Sequence, residues 1–433
     1  MANFIINGGK KLKGTIKTNS AKNSAVAILC ATPMIKGRTV LTDVPVIEEV
    51  KRIIEILSSI GLKIEWTGSH KLEIINNGKI NISKINKESF IKTRSALLLI
   101  GSLSSVLKNF SLPKAGGCRL GKRTVNPYII ALGHLGIKVQ ETNNAYIIAK
   151  GKTKGAEFTM YEASDTATEN TIMAAVLTPG ITTINLAASN YMVQDLCCFL
   201  RKAGAKIEGI GSNKLKITGV KKLKPVKNYP IMPDPIEAMA FISIAITTKS
   251  ELKITGCPID FLRLELEKLR VMGQNFQISK TYKSKNKYFD LVDIKIIPSK
   301  LYALADKIHP QPYPGLNIDN LPLFIPILTQ ARGETLVHDW VYENRAIYYV
   351  ELNKLGANVT LHDPHRATVK GPTKLSPAEI ICPPALRPSI NLLICMLAAK
   401  GKSILRNSYS IDRGYENIVG RLCSLGADIE RID

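Results

Sequence analysis

One short phrase recurs six times along this chain of 433 residues: an apolar residue, a glycine, two further residues and an apolar residue. It reads Ile60-Gly61-Leu62-Lys63-Ile64, Leu135-Gly136-Ile137-Lys138-Val139, Ala203-Gly204-Ala205-Lys206-Ile207, Met272-Gly273-Gln274-Asn275-Phe276, Leu355-Gly356-Ala357-Asn358-Val359 and Leu425-Gly426-Ala427-Asp428-Ile429. A glycine in that setting is the signature of a helix C-terminal cap leading into a strand. The helices before it are predicted to carry one buried stripe, Ile47, Val50, Ile54 and Leu57 in the first and Tyr415, Ile418, Leu422 and Leu425 in the last, with the three-and-four spacing of an amphipathic helix. Upstream of each lies a second helix that is apolar nearly all round, at 24–31, 95–107, 171–177, 238–246, 321–328 and 390–399. A helix with no polar face belongs inside a domain. Most of these six run into a glycine turn and a strand, as in Gly37-Arg38-Thr39-Val40-Leu41 and Gly401-Lys402-Ser403-Ile404-Leu405. One unit therefore reads strand, buried helix, strand, amphipathic helix, strand, strand. Six units most simply form two α/β domains of three, with sheets around the buried helices. A solenoid is the alternative, less suited to units of this length. The expected boundary is the linker-like Lys224-Pro225-Val226-Lys227-Asn228-Tyr229-Pro230; the first strands fit either half.

Composition narrows the function. The length suits two to three domains with ample core. No apolar run approaches the 18 or so residues of a membrane span. The start, Met1-Ala2-Asn3-Phe4-Ile5-Ile6-Asn7, lacks the order of a signal peptide, so a cytoplasmic location is expected. The eight Cys include no CxxC pair, which argues against structural zinc and a disulfide framework. The formal charge of +24 suggests anionic partners. Its Lys residues are spread along the whole chain, however, and no RNA-binding aromatic motif or zinc finger accompanies them. An anionic small molecule accounts for the clustered Arg as well as nucleic acid does. The one His cluster, His362-Asp363-Pro364-His365-Arg366, reads as a turn between strands. HExxH, Walker A and GxSxG patterns are absent, and no metal or cofactor is expected.

Two features carry chemistry. The stretch Lys114-Ala115-Gly116-Gly117-Cys118-Arg119-Leu120-Gly121-Lys122-Arg123 joins a glycine-rich loop, one thiol and four cations. Glycine permits close backbone approach to a ligand, and adjacent cations raise a thiol's thiolate fraction. The alternative is a basic surface loop with an incidental Cys. The second feature is ionic residues at helix starts. Lys22-Asn23, Arg94, Ser164-Asp165-Thr166, Asp234, Asp319-Asn320 and Arg387 stand at the starts of the buried helices, and Arg123, Arg345 and Arg413 at those of amphipathic ones. Helix N-termini present free amides and partial positive charge, so a Lys or Arg there opposes the dipole and gives the helix little. A shared anionic ligand explains the set; solvent-exposed charge, with Asp234 and Ser164 as plain N-caps, is the competing reading. Asp319 fits an N-cap or a general base.

On these residues the chain resembles the UDP-N-acetylglucosamine enolpyruvyl transferase (1-carboxyvinyltransferase) family, over essentially its whole length. The resemblance rests on Ala21-Lys22-Asn23, Lys92-Thr93-Arg94, Gly116-Gly117-Cys118 with Gly121 and Arg123, Tyr313-Pro314-Gly315 with Asp319, Glu343-Asn344-Arg345, Leu386-Arg387 and Ile411-Asp412-Arg413-Gly414-Tyr415-Glu416. It implies a two-domain inside-out α/β barrel of six βαβαββ repeats, with residues 22–228 as one domain and 1–21 plus 229–433 as the other. It also implies transfer of the enolpyruvyl group of phosphoenolpyruvate to the 3-hydroxyl of UDP-N-acetylglucosamine with release of phosphate, in peptidoglycan precursor synthesis. Lys22, Arg94, Arg123, Arg345, Arg387 and Arg413 would then hold phosphoenolpyruvate. Cys118 would protonate the vinyl carbon or form a covalent adduct, Asp319 would accept the hydroxyl proton, Asn23 would position the sugar, and Ser164 would lie at the diphosphate-binding turn. The chain departs from the family pattern at Asn126, Tyr128, Asp165-Thr166, Asn190-Tyr191-Met192, Pro235, Ile318 and Ala385; most of these fall on the nucleotide side. Two other readings stand beside this one. The 3-phosphoshikimate 1-carboxyvinyltransferases share the fold but lack the Gly-Gly-Cys loop. A non-catalytic or altered-specificity paralogue would bind an anionic nucleotide sugar or nucleic acid.

Overall fold

The computed structural model describes residues 2–116, 120–121 and 124–432; the expectations placed on Cys118 and Arg123 lie outside them. All six glycines of the recurring phrase have φ between 80° and 111°, a region that costs residues with a Cβ about 1–2 kcal/mol. Each stands between a helix and a strand. The helices are Glu48–Ser59, Asn126–His134, Tyr191–Lys202, Arg263–Val271, the 3₁₀ segment Ala346–Leu355 and Ile418–Ser424. The strands that follow are Lys63–Gly68, Ile137–Glu141, Lys206–Glu208, Asn275–Ile278, Asn358–Asp363 and Ile429–Ile432.

The apolar helices are buried on every side. In Pro235–Thr247 all 13 residues are buried, and from Leu386 to Ala398 only the two ends are less than buried. Fully enclosing a Leu or Ile side chain gains about 1.5–3 kcal/mol, so these helices supply much of the core. Where charged or capping residues accompany them, most stand at the N-terminal end, Glu169 within Asp165–Ala175 being an exception. Asp234 caps Pro235–Thr247 through Oδ1, which accepts from Ile236 N at 2.8 Å and Glu237 N at 3.4 Å, and Ser164 caps Asp165–Ala175 through Oγ. The N-cap reading of both is therefore correct.

By contacts the chain divides into two units, residues 20–116 with 124–232, and residues 2–19 with 233–432, the latter including 120 and 121. The described strands of each unit form three sheets. In the third repeat the pattern is complete: Glu157–Thr159, helix Asp165–Ala175, the parallel strand Ile181–Asn185, helix Tyr191–Lys202, and the antiparallel pair Lys206–Glu208 and Lys214–Thr218. The βαβαββ pattern is looser in the second and fifth repeats, whose sheets have three strands. In the fifth the leading segment makes only isolated parallel bridges, Tyr302 to Arg332 and Ile308 to Val337.

Three strands come from far along the chain. Asn3–Gly8 completes the sixth repeat, antiparallel to both Gly401–Arg406 and Ile429–Ile432. Lys13–Lys17 is the leading, parallel strand of the fourth repeat, beside Glu251–Pro258. Tyr229–Pro230 is the leading, parallel strand of the first, beside Gly37–Thr42. The expected linker at 224–230 is thus partly a strand, and Tyr229 is fully buried.

Three further expectations need correction. The buried stripe of Glu48–Ser59 is Val50, Ile53, Ile56 and Leu57, and Ile54 lies to its side. The last helix begins at Ile418, because Asn417 takes a left-handed conformation at φ 45° and ends any continuation from Tyr415. Arg413 opens no amphipathic helix; it caps the C-terminal end of the single turn Tyr409–Asp412.

The cap glycines differ in their surroundings. A Cβ at Gly204 would meet nothing within 4 Å, whereas one at Gly61 would lie 2.8 Å from the Lys79 carbonyl oxygen. Gly204→Ala is expected to cost about 1–2 kcal/mol from backbone strain alone, and Gly61→Ala distinctly more, both read from urea-denaturation midpoints.

Candidate active site

The second unit gathers two of the expected cations, Arg345 and Arg387, around one expected carboxylate, Asp319. Asp319 lies in the turn before the helix segment Leu321–Leu328. Its Oδ2 accepts from Arg387 Nη2 at 3.1 Å, and its Oδ1 lies 3.5 Å from Arg345 Nη1. Both guanidiniums are buried, Arg345 completely and Arg387 to 7% exposure, while the Asp319 side chain stays 23% exposed. Two enclosed cations therefore converge on a carboxylate that solvent can still reach.

A buried guanidinium needs compensating charge and hydrogen bonds. Arg345 obtains them from Asp339, also fully buried, in a two-pronged pairing: Nε to Oδ2 at 2.6 Å and Nη2 to Oδ1 at 2.8 Å. Its Nη2 also donates to the Ile318 carbonyl at 2.7 Å, and its guanidinium lies 4.4 Å from the Tyr342 ring centroid. Tyr349 donates its hydroxyl to the same Asp339. Burial disfavours the Arg345 cation, but Asp339 more than compensates, so its pKa is held above the ordinary arginine value. Nη1 alone of its nitrogens, buried and aimed toward Asp319, makes no hydrogen bond. Arg387 is held by Asp319 and by Tyr415, whose hydroxyl accepts from Nη1 at 3.2 Å. Burial lowers and Asp319 raises the Arg387 pKa, and the net direction is upward. Gly414 lets this corner close: a Cβ there would lie 2.4 Å from Leu386 Cδ2.

The turn bearing Asp319 is fixed from behind. Glu265 is 2% exposed and its Oε1 accepts from Asn320 Nδ2 at 2.7 Å and from Asn317 N at 3.3 Å. Asn317 in turn accepts from Asp319 N at 2.8 Å. Arg413 is half-buried. Asn344 N donates to the Leu120 carbonyl at 3.3 Å, which fixes one described residue of the Gly116–Arg123 loop.

The first unit holds Lys22, Asn23, Arg94 and Ser164. Lys22 and Asn23 are the first two residues of the helix Lys22–Ala31 and are half-buried. Arg94 opens the 3₁₀ segment Arg94–Leu98, which packs against that helix, and its Nη2 lies 3.4 Å from the Thr124 carbonyl. The residues on either side of it are clamped by Glu49, a buried carboxylate whose Oε1 accepts from the Thr93 and Ser95 hydroxyls. Asn23 donates through Nδ2 to the Tyr191 hydroxyl at 3.0 Å. Asn190 joins Asp165 through Nδ2 and Oδ2 at 3.0 Å. Lys114 is an outlier to the anion reading, since it pairs with Glu141 and lies over the Tyr146 ring. The His362–Arg366 cluster is the turn between Asn358–Asp363 and Arg366–Gly371, as expected.

Sequence reasoning missed Asp339, Glu265 and Glu49, and it singled out Tyr191 only as a departure from the family pattern, not as the partner of Asn23. Asp339 was the most accessible, because a carboxylate six residues before a buried arginine is within reach of its guanidinium. The other three act on residues 44 to 168 positions away, and one sequence carries no signal for such pairs. Among the described residues no helix is long and apolar enough to cross a membrane.

The comparisons with known proteins agree with one another. The family profile described as EPSP synthase (3-phosphoshikimate 1-carboxyvinyltransferase) matches residues 6–422. A protein of Treponema denticola named UDP-N-acetylglucosamine 1-carboxyvinyltransferase is 37% identical over 99% of both chains. Proteins of the same name from Porphyromonas gingivalis and Borreliella burgdorferi are each 34% identical, over 100% of this chain and 100% and 99% of theirs. Among solved structures, the enolpyruvyl transferase NikO from Streptomyces tendae superposes with a TM-score of 0.86 at 22% identity, covering 100% of this chain and 99% of that one. An EPSP synthase from Acinetobacter baumannii superposes at 0.77 and 19% identity over 100% of both. The two structures establish the fold, and it is the one expected.

Removing Asp339 leaves a buried cation uncompensated. Asp339→Asn is expected to destabilise the protein by about 3–5 kcal/mol in equilibrium unfolding. The paired replacement Asp339→Leu with Arg345→Met, which removes both charges, should cost clearly less.

Proposed function

The chain belongs to the EPSP synthase family of enolpyruvyl transferases, and on that premise we propose that it moves the enolpyruvyl group of phosphoenolpyruvate to the 3-hydroxyl of UDP-N-acetylglucosamine. The relatives' shared name favours this acceptor over 3-phosphoshikimate and over a non-catalytic paralogue. The observation that carries the chemistry is the convergence of Arg345 and Arg387 on Asp319. Two buried guanidiniums face one partly exposed carboxylate, a ready place for a second anion and a proton acceptor side by side.

In this reading Arg345 offers its unbonded Nη1, and Arg387 its remaining donors, to the carboxylate or phosphate of phosphoenolpyruvate. Lys22, Arg94, Arg123 and Arg413 supply further positive charge. Preorganised cations of this kind stabilise charge that develops during reaction without having to reorient. The acceptor oxygen bonds to C2 of the enolpyruvyl group while C3 gains a proton. Loss of phosphate, with a proton leaving C3, then restores the double bond. Asp319 takes the proton of the attacking hydroxyl. Each carboxylate oxygen has more than one acceptor site, so its contacts with Arg345 and Arg387 leave it able to do so. Cys118 delivers the proton to C3 or adds to C2 as a thiolate. Asn23 and Ser164 meet the acceptor. The products place the enzyme in peptidoglycan precursor synthesis, in the cytoplasm, with small molecules rather than nucleic acid as partners and with no cofactor called for by the reaction.

Phosphate release from phosphoenolpyruvate in the presence of UDP-N-acetylglucosamine tests the reading, with shikimate-3-phosphate as the alternative acceptor. Release only with the nucleotide sugar is expected; its absence, where a known family member turns over, overturns the proposal. Asp319→Asn should lower kcat by about 10²–10⁴, the range for losing a general base. The epoxide fosfomycin should add its mass to the wild-type protein and not to Cys118→Ser, as seen by intact mass spectrometry.

A further inference from the structure

The helix Tyr191–Lys202 makes two polar contacts, one turn apart, that the reaction does not use. At its start, the Tyr191 hydroxyl accepts from Asn23 Nδ2 at 3.0 Å, and Tyr191 is 1% exposed. One turn on, Asp195 is fully buried. Its Oδ1 accepts from the Tyr229 hydroxyl at 2.5 Å and its Oδ2 from Met232 N at 3.3 Å. The Met232 carbonyl then accepts from Ala21 N at 2.7 Å. Ala21 is the residue from which the helix Lys22–Ala31 starts, and no side chain caps that start. The turn that presents Lys22 and Asn23 is therefore held at two points by one neighbouring helix: through a side chain at Asn23, and through Met232 at Ala21.

Burying a carboxylate is costly, and burial pushes Asp195 up to about 7 despite the hydrogen bonds from Tyr229 and Met232. Apolar side chains would fill this space at lower cost. The group is better explained by what it holds than by the stability it brings. Tyr191 is equally pointed: a phenol oxygen buried against the amide of a half-buried Asn fixes which way that amide faces. The start of the same helix is tied to the Ser164–Asp165 turn, since Asn190 accepts from Tyr191 N at 2.9 Å and donates to Asp165.

We propose that Tyr191 and Asp195 are positioning residues for the Lys22–Asn23 turn, with Tyr191 fixing the Asn23 amide in the orientation that meets the acceptor and Asp195 fixing the backbone from which that turn starts. The inference rests on the proposed reaction for its kinetic arm only. Tyr191→Phe keeps the ring and removes the hydroxyl. It should raise the KM for UDP-N-acetylglucosamine about fivefold, the worth of one neutral hydrogen bond, and leave the KM for phosphoenolpyruvate within about twofold. In an Asn23→Ala background the same substitution should have no further effect, because its partner is gone. An unchanged acceptor KM in Tyr191→Phe, or an undiminished effect in the Asn23→Ala background, overturns the role of Tyr191. The second arm needs no turnover. Hydrogen exchange of the amides at residues 21–24 should quicken about tenfold in Asp195→Ala, which removes the acceptor of the Met232 N–H, with the global unfolding midpoint recorded beside it. Tyr229→Phe, a milder change to the same carboxylate, should show a smaller effect in the same direction. Unchanged protection at these amides in both variants overturns the role of Asp195. Failure of the wild type to release phosphate would instead count against the proposed reaction.

Discussion

Six helices without a polar face set the terms for everything else in this protein. Their flanks must be covered on all sides, and only sheets and amphipathic helices arranged around them can do it. Once covered, those flanks have no access to ligand. Chemistry is left to the helix ends, where backbone groups are unsatisfied and the chain turns back toward solvent. The distribution of ionic residues follows from that division. Lys22, Arg94, Asp165, Asp319 and Arg387 sit at or beside the starts of buried helices.

Placing cations at such ends opposes the helix dipole and, where they are enclosed, incurs a desolvation cost. The structure meets this with carboxylates drawn from elsewhere in the fold. Asp339 neutralises Arg345 from a distance of six residues, and Asp319 is shared by Arg345 and Arg387. Glu49 and Glu265 act at one remove, gripping the turns that carry Arg94 and Asp319 and not those side chains themselves. Asp319 and Arg94 are thus exposed in part, while Glu265 and Glu49, which hold their turns, are buried. The net charge of +24 is a separate matter, since it is the excess of Lys and Arg left after pairs such as Lys295 with Glu251 and Lys370 with Glu334 cancel, and its lysines are spread along the whole chain.

The repeat was legible because its marker is local. A glycine that ends a helix at positive φ needs no distant partner, and all six were placed correctly. The buried helices were legible for the same reason: absence of a polar face is a property of ten consecutive residues. Boundaries were less so. The 3₁₀ form of Ala346–Leu355 and the left-handed Asn417 depend on packing that the periodicity does not encode. At the candidate site the charged residues themselves were visible as anomalies, cations where the dipole disfavours them. Their partners were not. Nothing local distinguishes Glu265 from Glu267 two residues on, yet the first is buried on the Asp319 turn and the second is paired with Arg270 at the surface.

The exchange of leading strands has a consequence for the order in which this protein forms. The first repeat waits for Tyr229–Pro230, the fourth takes its leading strand from Lys13–Lys17, and the sixth takes Asn3–Gly8. As the chain emerges from the ribosome, amino end first, the strand at 3–8 is made more than four hundred residues before its partner at 429–432. Until then its edge is an open row of amide and carbonyl groups, the kind that pairs with whatever strand comes near. The sheet of the sixth repeat cannot close until residues 429–432 are made, whereas the first unit can close its sheets about two hundred residues sooner, when Pro230 arrives. A nascent chain of this architecture therefore carries a folded first unit and one unclosed sheet together while about two hundred further residues are added.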